Sequence, residues 1–250
     1  MIFYFSATGN SKLVAEYLGK ILQQETCDMN RECATNLSLD KTVGIVFPVH
    51  AWGIPYVIQD YIPKIQSYLS HASYVFVILC CGDDVGYCDT QIRDLLHQYQ
   101  VKVAAIFSVA MPNTYIGMPG FDVDSSALQR FKLEHARIRL HEIAMCIDER
   151  KVTTDVIRGS YPHLKSGAIR KLFNRFMIKD NYFKVNTKLC INCKRCGEVC
   201  PMHNISFNPY PTWNHNCLTC FACFHVCPKQ AIRFTLSGGK KRQYHAPESL

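Results

Sequence analysis

The sequence predicts an α/β fold, a doubly wound parallel sheet, followed by a small α+β domain, and three observations carry that prediction. Short runs rich in Val, Ile and Phe alternate with amphipathic stretches through the first half of the chain. A loop of hydroxyl-bearing residues and glycine follows the first of these runs directly. In the second half, eight cysteines fall into two copies of one spacing.

Taken in order, Ile2 to Phe5, Val43 to Phe47, Tyr74 to Cys80 and Val103 to Val109 read as strands. Lys12 to Leu22, Ile54 to Leu69 and Thr90 to Tyr99 have helical spacing between them. Strict alternation of strand and helix implies parallel strands, right-handed crossovers and helices on both faces. The region from Glu25 to Asn36 gives no clear strand. A long helix, about Ser125 to Arg150, and a second, Ser166 to Ile178 with Ile169, Leu172, Phe173, Phe176 and Met177 at helical spacing, lead out of this unit. The expected division is residues 1–180, residues 181–236, and a polar tail 237–250 that is either disordered or laid along another surface.

With 250 residues at 48% hydrophobic composition the chain can bury a substantial core. No apolar run is long enough to cross a membrane, and Met1 leads into a strand without a basic leader or cleavage site. The expected location is therefore the reducing cytoplasm, where clustered Cys-x-x-Cys indicates metal in place of disulfides. The net charge of +8 is uneven: residues 1–150 hold 12 Lys/Arg against 16 Asp/Glu, residues 151–250 hold 16 against 4. Each oxidised iron–sulfur cluster with its four thiolates offsets about two of those positive charges. No helix-turn-helix, zinc-finger or aromatic RNA-binding signature accompanies the excess, so no nucleic-acid partner is expected.

Cys190, Cys193, Cys196 and Cys200-Pro201 form C-x2-C-x2-C-x3-C-P, and the pattern recurs at Cys217, Cys220, Cys223 and Cys227-Pro228. Bacterial two-cluster ferredoxins use this run because three close thiolates wrap one cubane while the fourth turns to the other. One [4Fe-4S] cluster is thus expected on Cys190, Cys193, Cys196 and Cys227, the second on Cys200, Cys217, Cys220 and Cys223. Zinc would call for two pairs of ligands per site, not three plus a distant fourth followed by proline. The segments Asn204 to Phe207 and Gln230 to Phe234 read as the ribbons that close such a module. Cys27, Cys33, Cys80, Cys81, Cys88 and Cys146 lack the spacing and are expected to be buried thiols.

Ser6-Ala7-Thr8-Gly9-Asn10-Ser11 lies between the first strand and the first helix. Free backbone N–H groups and the positive dipole end at a helix N-terminus suit a phosphate, and the carboxyl end of a parallel sheet is where such folds bind ligands. Pro48-Val49-His50-Ala51-Trp52-Gly53 and Gly82-Asp83-Asp84-Val85-Gly86-Tyr87 should meet this loop at the same edge, with Trp52 able to stack on a flat ligand. No Gly-x-Gly-x-x-Gly occurs, so a built-in Rossmann site for NAD(P)H is not indicated.

The loop SATGNS, the order of elements and the two later loops resemble a flavodoxin domain, which binds FMN. Together with the cysteine module, the stretch SVAMPNTY at Ser108 to Tyr115 and the tail RQYHAPE, the chain resembles the ferredoxin/flavodoxin fusions of anaerobes over nearly its whole length. The resemblance implies that Ser6, Ala7, Thr8, Gly9, Asn10 and Ser11 hold the FMN phosphate. It implies too that residues of the loops carrying Pro48, His50, Ala51, Trp52 and Gly53 and carrying Gly82, Asp83, Gly86 and Tyr87 flank the flavin ring. Ser11 stands where flavodoxins usually have threonine, which keeps the hydroxyl.

A flavin exchanges two electrons and a cubane one, so the expectation is an electron-transfer protein that couples the two. The competing readings are an FMN-dependent reductase of a quinone, nitro compound or similar acceptor, and a redox or oxygen sensor. Expected partners are a ferredoxin, flavodoxin or reductase, or a small-molecule acceptor. The stretch from Lys151 to Lys188 holds nine Lys/Arg against Asp155 and Asp180 and could dock an acidic partner.

Overall fold

A computed structural model describes residues 1–30 and 41–250. Apolar residues that fill both faces of a buried strand give near-continuous hydrophobic runs, and this chain follows that rule. β1 (Ile2–Tyr4), β2 (Thr26–Asp28), β3 (Thr42–Pro48), β4 (Tyr74–Cys81), β5 (Ala105–Ala110) and β6 (Thr153–Asp155) form one parallel sheet in the order β2-β1-β3-β4-β5-β6. Every residue of β4 is buried, which explains its unbroken apolar sequence. The strand order reverses between β1 and β3, and this switch point opens a crevice at the carboxyl ends of the strands.

On one face lie α1 (Asn10–Leu22) and α5 (Ser126–Asp148), packed through Leu13, Val14, Leu18, Leu140 and Ile143 against β1, β4 and β5. On the other lie α2 (Tyr56–Tyr61), continued by a 3-10 turn and α3 (Gln66–His71), and α4 (Cys88–Gln98), packed through Ile58, Leu69, Ile92 and Leu96. α6 (Pro162–Leu164) passes through a π-helical stretch, Lys165–Ile169, into α7 (Arg170–Phe176).

The cysteine-rich part follows as β7 (Phe183–Val185), α8 (Arg195–Glu198), β8 (Ile205–Phe207), β9 (Pro211–Trp213), α9 (Ala222–Val226) and β10 (Ile232–Phe234). β7 pairs antiparallel with β10, and β8 with β9. Both ribbon segments expected from sequence are therefore strands, each paired with a strand of three residues, too short to show a period. A third core joins the two parts: Phe183, Phe221, Phe224 and Phe234 pack with Ile116 and Val123 from the connection between β5 and α5, and with Tyr244 from the tail.

Two expectations change, and for the tail one of the two stated alternatives holds. The region after Glu25 does hold a strand, β2, whose three residues are too few to show periodicity. The tail is packed along the molecule, with Tyr244 only 3% exposed. Among the six remaining cysteines, Cys80, Cys81 and Cys88 are buried thiols and Cys146 is half-buried, but Cys27 is disulfide-bonded; Cys33 lies outside the described residues. Among the described residues no helix is long and apolar enough to cross a membrane.

Candidate functional site

A cavity lies at the switch point, where α1 begins. Gly9 precedes α1 in the left-handed region (φ +100°), a conformation that costs glycine little, and this turns the first N–H groups of the helix toward the cavity. Ser6, Ala7, Thr8, Asn10 and Ser11 line it from below, Pro48, Val49 and His50 from β3, and Cys80, Cys81 and Gly82 from β4. Two further walls were not anticipated. Met111 to Tyr115, which follows β5 at the same sheet edge, forms one; Leu218, Thr219, Cys220 and Phe221 of the cysteine module form the other. The first had a signal in the sequence, since a loop after a parallel strand ends at the same edge as its neighbours. The second depends on how the two parts dock, which no local pattern encodes.

Several buried polar atoms here have no partner among the described residues: Ser6 Oγ, His50 Nε2 and the Tyr115 hydroxyl. Such atoms cost about 1–3 kcal/mol each unless a ligand or water meets them. Together with the first turn of α1, whose Asn10 and Ser11 line the cavity, and the aromatic wall, they fit a phosphorylated, flat ligand such as FMN. Burial, with Arg170 nearby, lowers His50 to about 4, so its ring is neutral. The side chain of Asn10 is already partly committed: its amide donates to Pro112 O (2.8 Å) and its carbonyl accepts from the Tyr244 hydroxyl (2.7 Å). Its second amide hydrogen and its backbone N–H are left for an anion.

Ala51, Trp52, Gly53, Asp83, Gly86 and Tyr87 do not line the cavity, contrary to the sequence expectation. The loop around Trp52 is instead covered by the segment after β6. Ser166 donates to Trp52 O (2.9 Å) and accepts from Tyr87 N–H (2.8 Å), while Lys165 Nζ sits 5.7 Å from the Trp52 ring. Arg170, from α7, donates to the carbonyls of His50, Ala51 and Ile54. Tyr87 packs edge-on against His163, and Asp83 reaches Lys132 at 3.4 Å. Aromatic loop residues at the sheet edge are thus used to seat a helix, an alternative that sequence alone leaves open. Gly9 also does more than approach a ligand: a Cβ there would lie 2.5 Å from Ala246 Cβ in the tail.

The eight cysteines divide in space as the crossed spacing requires. Cys190, Cys193, Cys196 and Cys227 wall one small cavity; Cys200, Cys217, Cys220 and Cys223 wall another. The two halves repeat with an offset of 27 residues, Cys190 to Cys217. Asn192, Lys194 and His203 have positive φ, and so do Thr219, Phe221 and Gln230, 27 positions on in each case. These turns aim backbone N–H groups inward: Asn204 N–H donates to Cys200 Sγ (3.4 Å) and its counterpart Ala231 N–H to Cys227 Sγ (3.2 Å). Burial pushes the Cys217 thiol up to about 11 and Cys220 up to about 12. Thiolates in such surroundings need a cationic centre, and inward N–H groups are the usual support for cluster sulfurs. The donor set fits two cubanes.

Cys220 lines both its four-cysteine cavity and the switch-point cavity. His225 fastens the two parts beside it. Its Nδ1 accepts from Tyr244 N–H (3.1 Å), which makes Nε2 the protonated nitrogen that donates to Thr114 O (2.9 Å).

The switch-point cavity is backed by the eight-cysteine module, an arrangement suited to redox chemistry. Residues 1–115 match the family described as a flavodoxin domain, and residues 189–232 match the 4Fe-4S dicluster domain. The chain is a flavodoxin/ferredoxin fusion, and its two domains make it an electron-transfer protein. Among solved structures it is similar to the Trp repressor binding protein from Bacillus subtilis, at 14% identity and a TM-score of 0.38, over 56% of this chain and 96% of that one. No curated protein sequence matches it.

Proposed function

We propose that the chain passes electrons between two [4Fe-4S] clusters and a bound FMN, converting between one-electron and two-electron chemistry. The observation that carries this reading is the shared wall: Cys220 and its neighbours Leu218 and Phe221 bound the switch-point cavity on one side and the second cysteine set on the other. In this reading Ser6, Thr8, Ser11 and the first N–H groups of α1 hold the phosphate. Tyr115 and His50 offer a hydroxyl and a neutral ring nitrogen to the flavin. The Phe221 and Leu218 side chains exclude water between the two sites, which lowers the reorganisation that charge transfer demands. FMN, when bound, supplies the two-electron capacity that no side chain here has.

Protein prepared anaerobically should contain about eight irons and about eight sulfides per chain, two cubanes' worth. Stopped-flow mixing with a one-electron donor should then show cluster reduction followed by first-order flavin bleaching, at a rate unaltered by dilution of the protein. The second phase should vanish in Cys220→Ser. A flavin that bleaches only in proportion to protein concentration would leave two independent carriers on one chain and end this reading.

A further inference from the structure

The net positive charge of the second half concentrates in one place. The segments 181–193 and 228–242 contain no Asp or Glu. They fold together around the β7–β10 pair, where Lys184, Lys229, Arg233, Lys240 and Lys241 line a groove with no acidic side chain. Lys184 and Arg233 are directly opposite one another across the two strands, and both are exposed. Like charges in that register repel. Only Lys241 is committed, donating to Phe121 O at 2.7 Å.

The groove adjoins the first cysteine set. Lys229 borders both the groove and the cavity walled by Cys190, Cys193, Cys196 and Cys227. Cys193 is exposed, and Leu189 and Ile191, on either side of Cys190, are 43% and 57% exposed. The second cysteine set instead faces the switch-point cavity. The first set is therefore the one that meets the outside.

The part of the Lys151 to Lys188 stretch that precedes the groove, residues 151–170, is a poorer dock. Lys151 pairs with Glu149, Arg158 with Asp89 and Lys165 with Asp84, while Arg170 is spent on carbonyls.

We propose that the Lys184–Lys229–Arg233–Lys240 groove is the docking surface for an acidic one-electron carrier protein, seated with its redox centre over the Leu189–Ile191 patch. The cations attract and orient the partner, and the apolar patch is what it desolvates on contact. In the hand-off, one electron leaves the reduced partner and enters the centre held by the first cysteine set; the partner is oxidised and that centre reduced, with no proton moved. The docking claim rests on the electron-transfer reading for its choice of partner, and its test separates the two.

The probe is a purified acidic [2Fe-2S] ferredoxin, mixed in its reduced form with the anaerobic holoprotein in a stopped-flow instrument. The second-order rate of cluster reduction should fall roughly tenfold or more between low and high ionic strength. Lys184→Glu should cost roughly tenfold at low salt. The same substitution should hold or raise Tm, because a glutamate opposite Arg233 replaces repulsion by attraction. Lys171→Glu, on α7, should leave the rate unchanged. An unchanged rate in Lys184→Glu, or an equal loss in Lys171→Glu, would overturn the proposal. So would a concentration-dependent dimer of this chain that Lys184→Glu abolishes, or poly(U) RNA binding lost in Lys184→Glu while the ferredoxin rate is kept. Binding of the oxidised ferredoxin by calorimetry supplies the separate reading. Binding that Lys184→Glu weakens, with no electron reaching the clusters, would uphold the surface and sink the electron-transfer reading.

Discussion

The fold opposes protonation of His50. Burial first, and the Arg170 charge second, lower it to about 4 from an ordinary 6.5. The unfolded chain takes up a proton near pH 6.5 that the folded chain refuses until about pH 4. The resulting stabilisation is complete above 6.5, fades as pH falls through that window, and bottoms out below 4. Urea unfolding at pH 7 and pH 4.5 should show this loss in the wild type and a smaller one in His50→Gln. Asp180 behaves oppositely: burial alone would raise it, but hydrogen bonds from Asn204 and His215 outweigh that and hold its carboxyl below the usual range. Asp180→Ala strands those donors and should destabilise the protein by about 1–3 kcal/mol, read as a lower urea midpoint. Residue roles were legible in the sequence where chemistry demands spacing, as for the eight cysteines, and illegible where a side chain chooses among neighbours. Asn10 sits in the phosphate loop as expected, yet its amide serves Pro112 and Tyr244. Trp52 has the profile of a stacking residue, yet its loop is the floor for α7.

At the level of elements, the long buried strands β3 and β4 and the helices α1 and α5 were readable because each carries enough residues to show a period. β2, β6, β7 and β9 have three residues each and exist only because a neighbour offers a free edge. The most consequential contact that sequence could not show is made by α7, a helix whose existence was legible but whose seat was not. Arg170 donates to three carbonyls of the loop that leads from β3, and its removal should let that loop breathe. Arg170→Met should raise amide exchange at residues 50–54 and weaken FMN binding several-fold, while iron content stays at the wild-type level. The reverse separation belongs to the repeat: Cys227→Ser should damage the centre bound mainly by the first run, despite lying in the second. Loss of the other centre alone, by electron paramagnetic resonance, would refute the crossed division.

For the molecule as a whole, the tail is what turns two adjacent modules into one body. Arg242 reaches Asp122, Gln243 donates to Phe224 O and Cys227 O, and the Tyr244 hydroxyl closes on Asn10. Tyr244→Phe deletes one buried hydrogen bond worth about 1 kcal/mol, so the FMN dissociation constant should rise roughly five-fold, measurable by fluorescence titration. Gly9→Val, which would otherwise test ligand approach alone, should also dislodge Ala246, so a matched Ala246→Gly background is needed to separate the two effects. The Asn10–Tyr244 bond also spans 234 positions of the chain. A polypeptide emerging from the ribosome exposes its phosphate loop early, but the tyrosine that fixes that loop arrives only after the cysteine module has been made. Assembly thus has a built-in order: the loop at the switch point is fixed last, once the cysteine-rich half is already in place beside it.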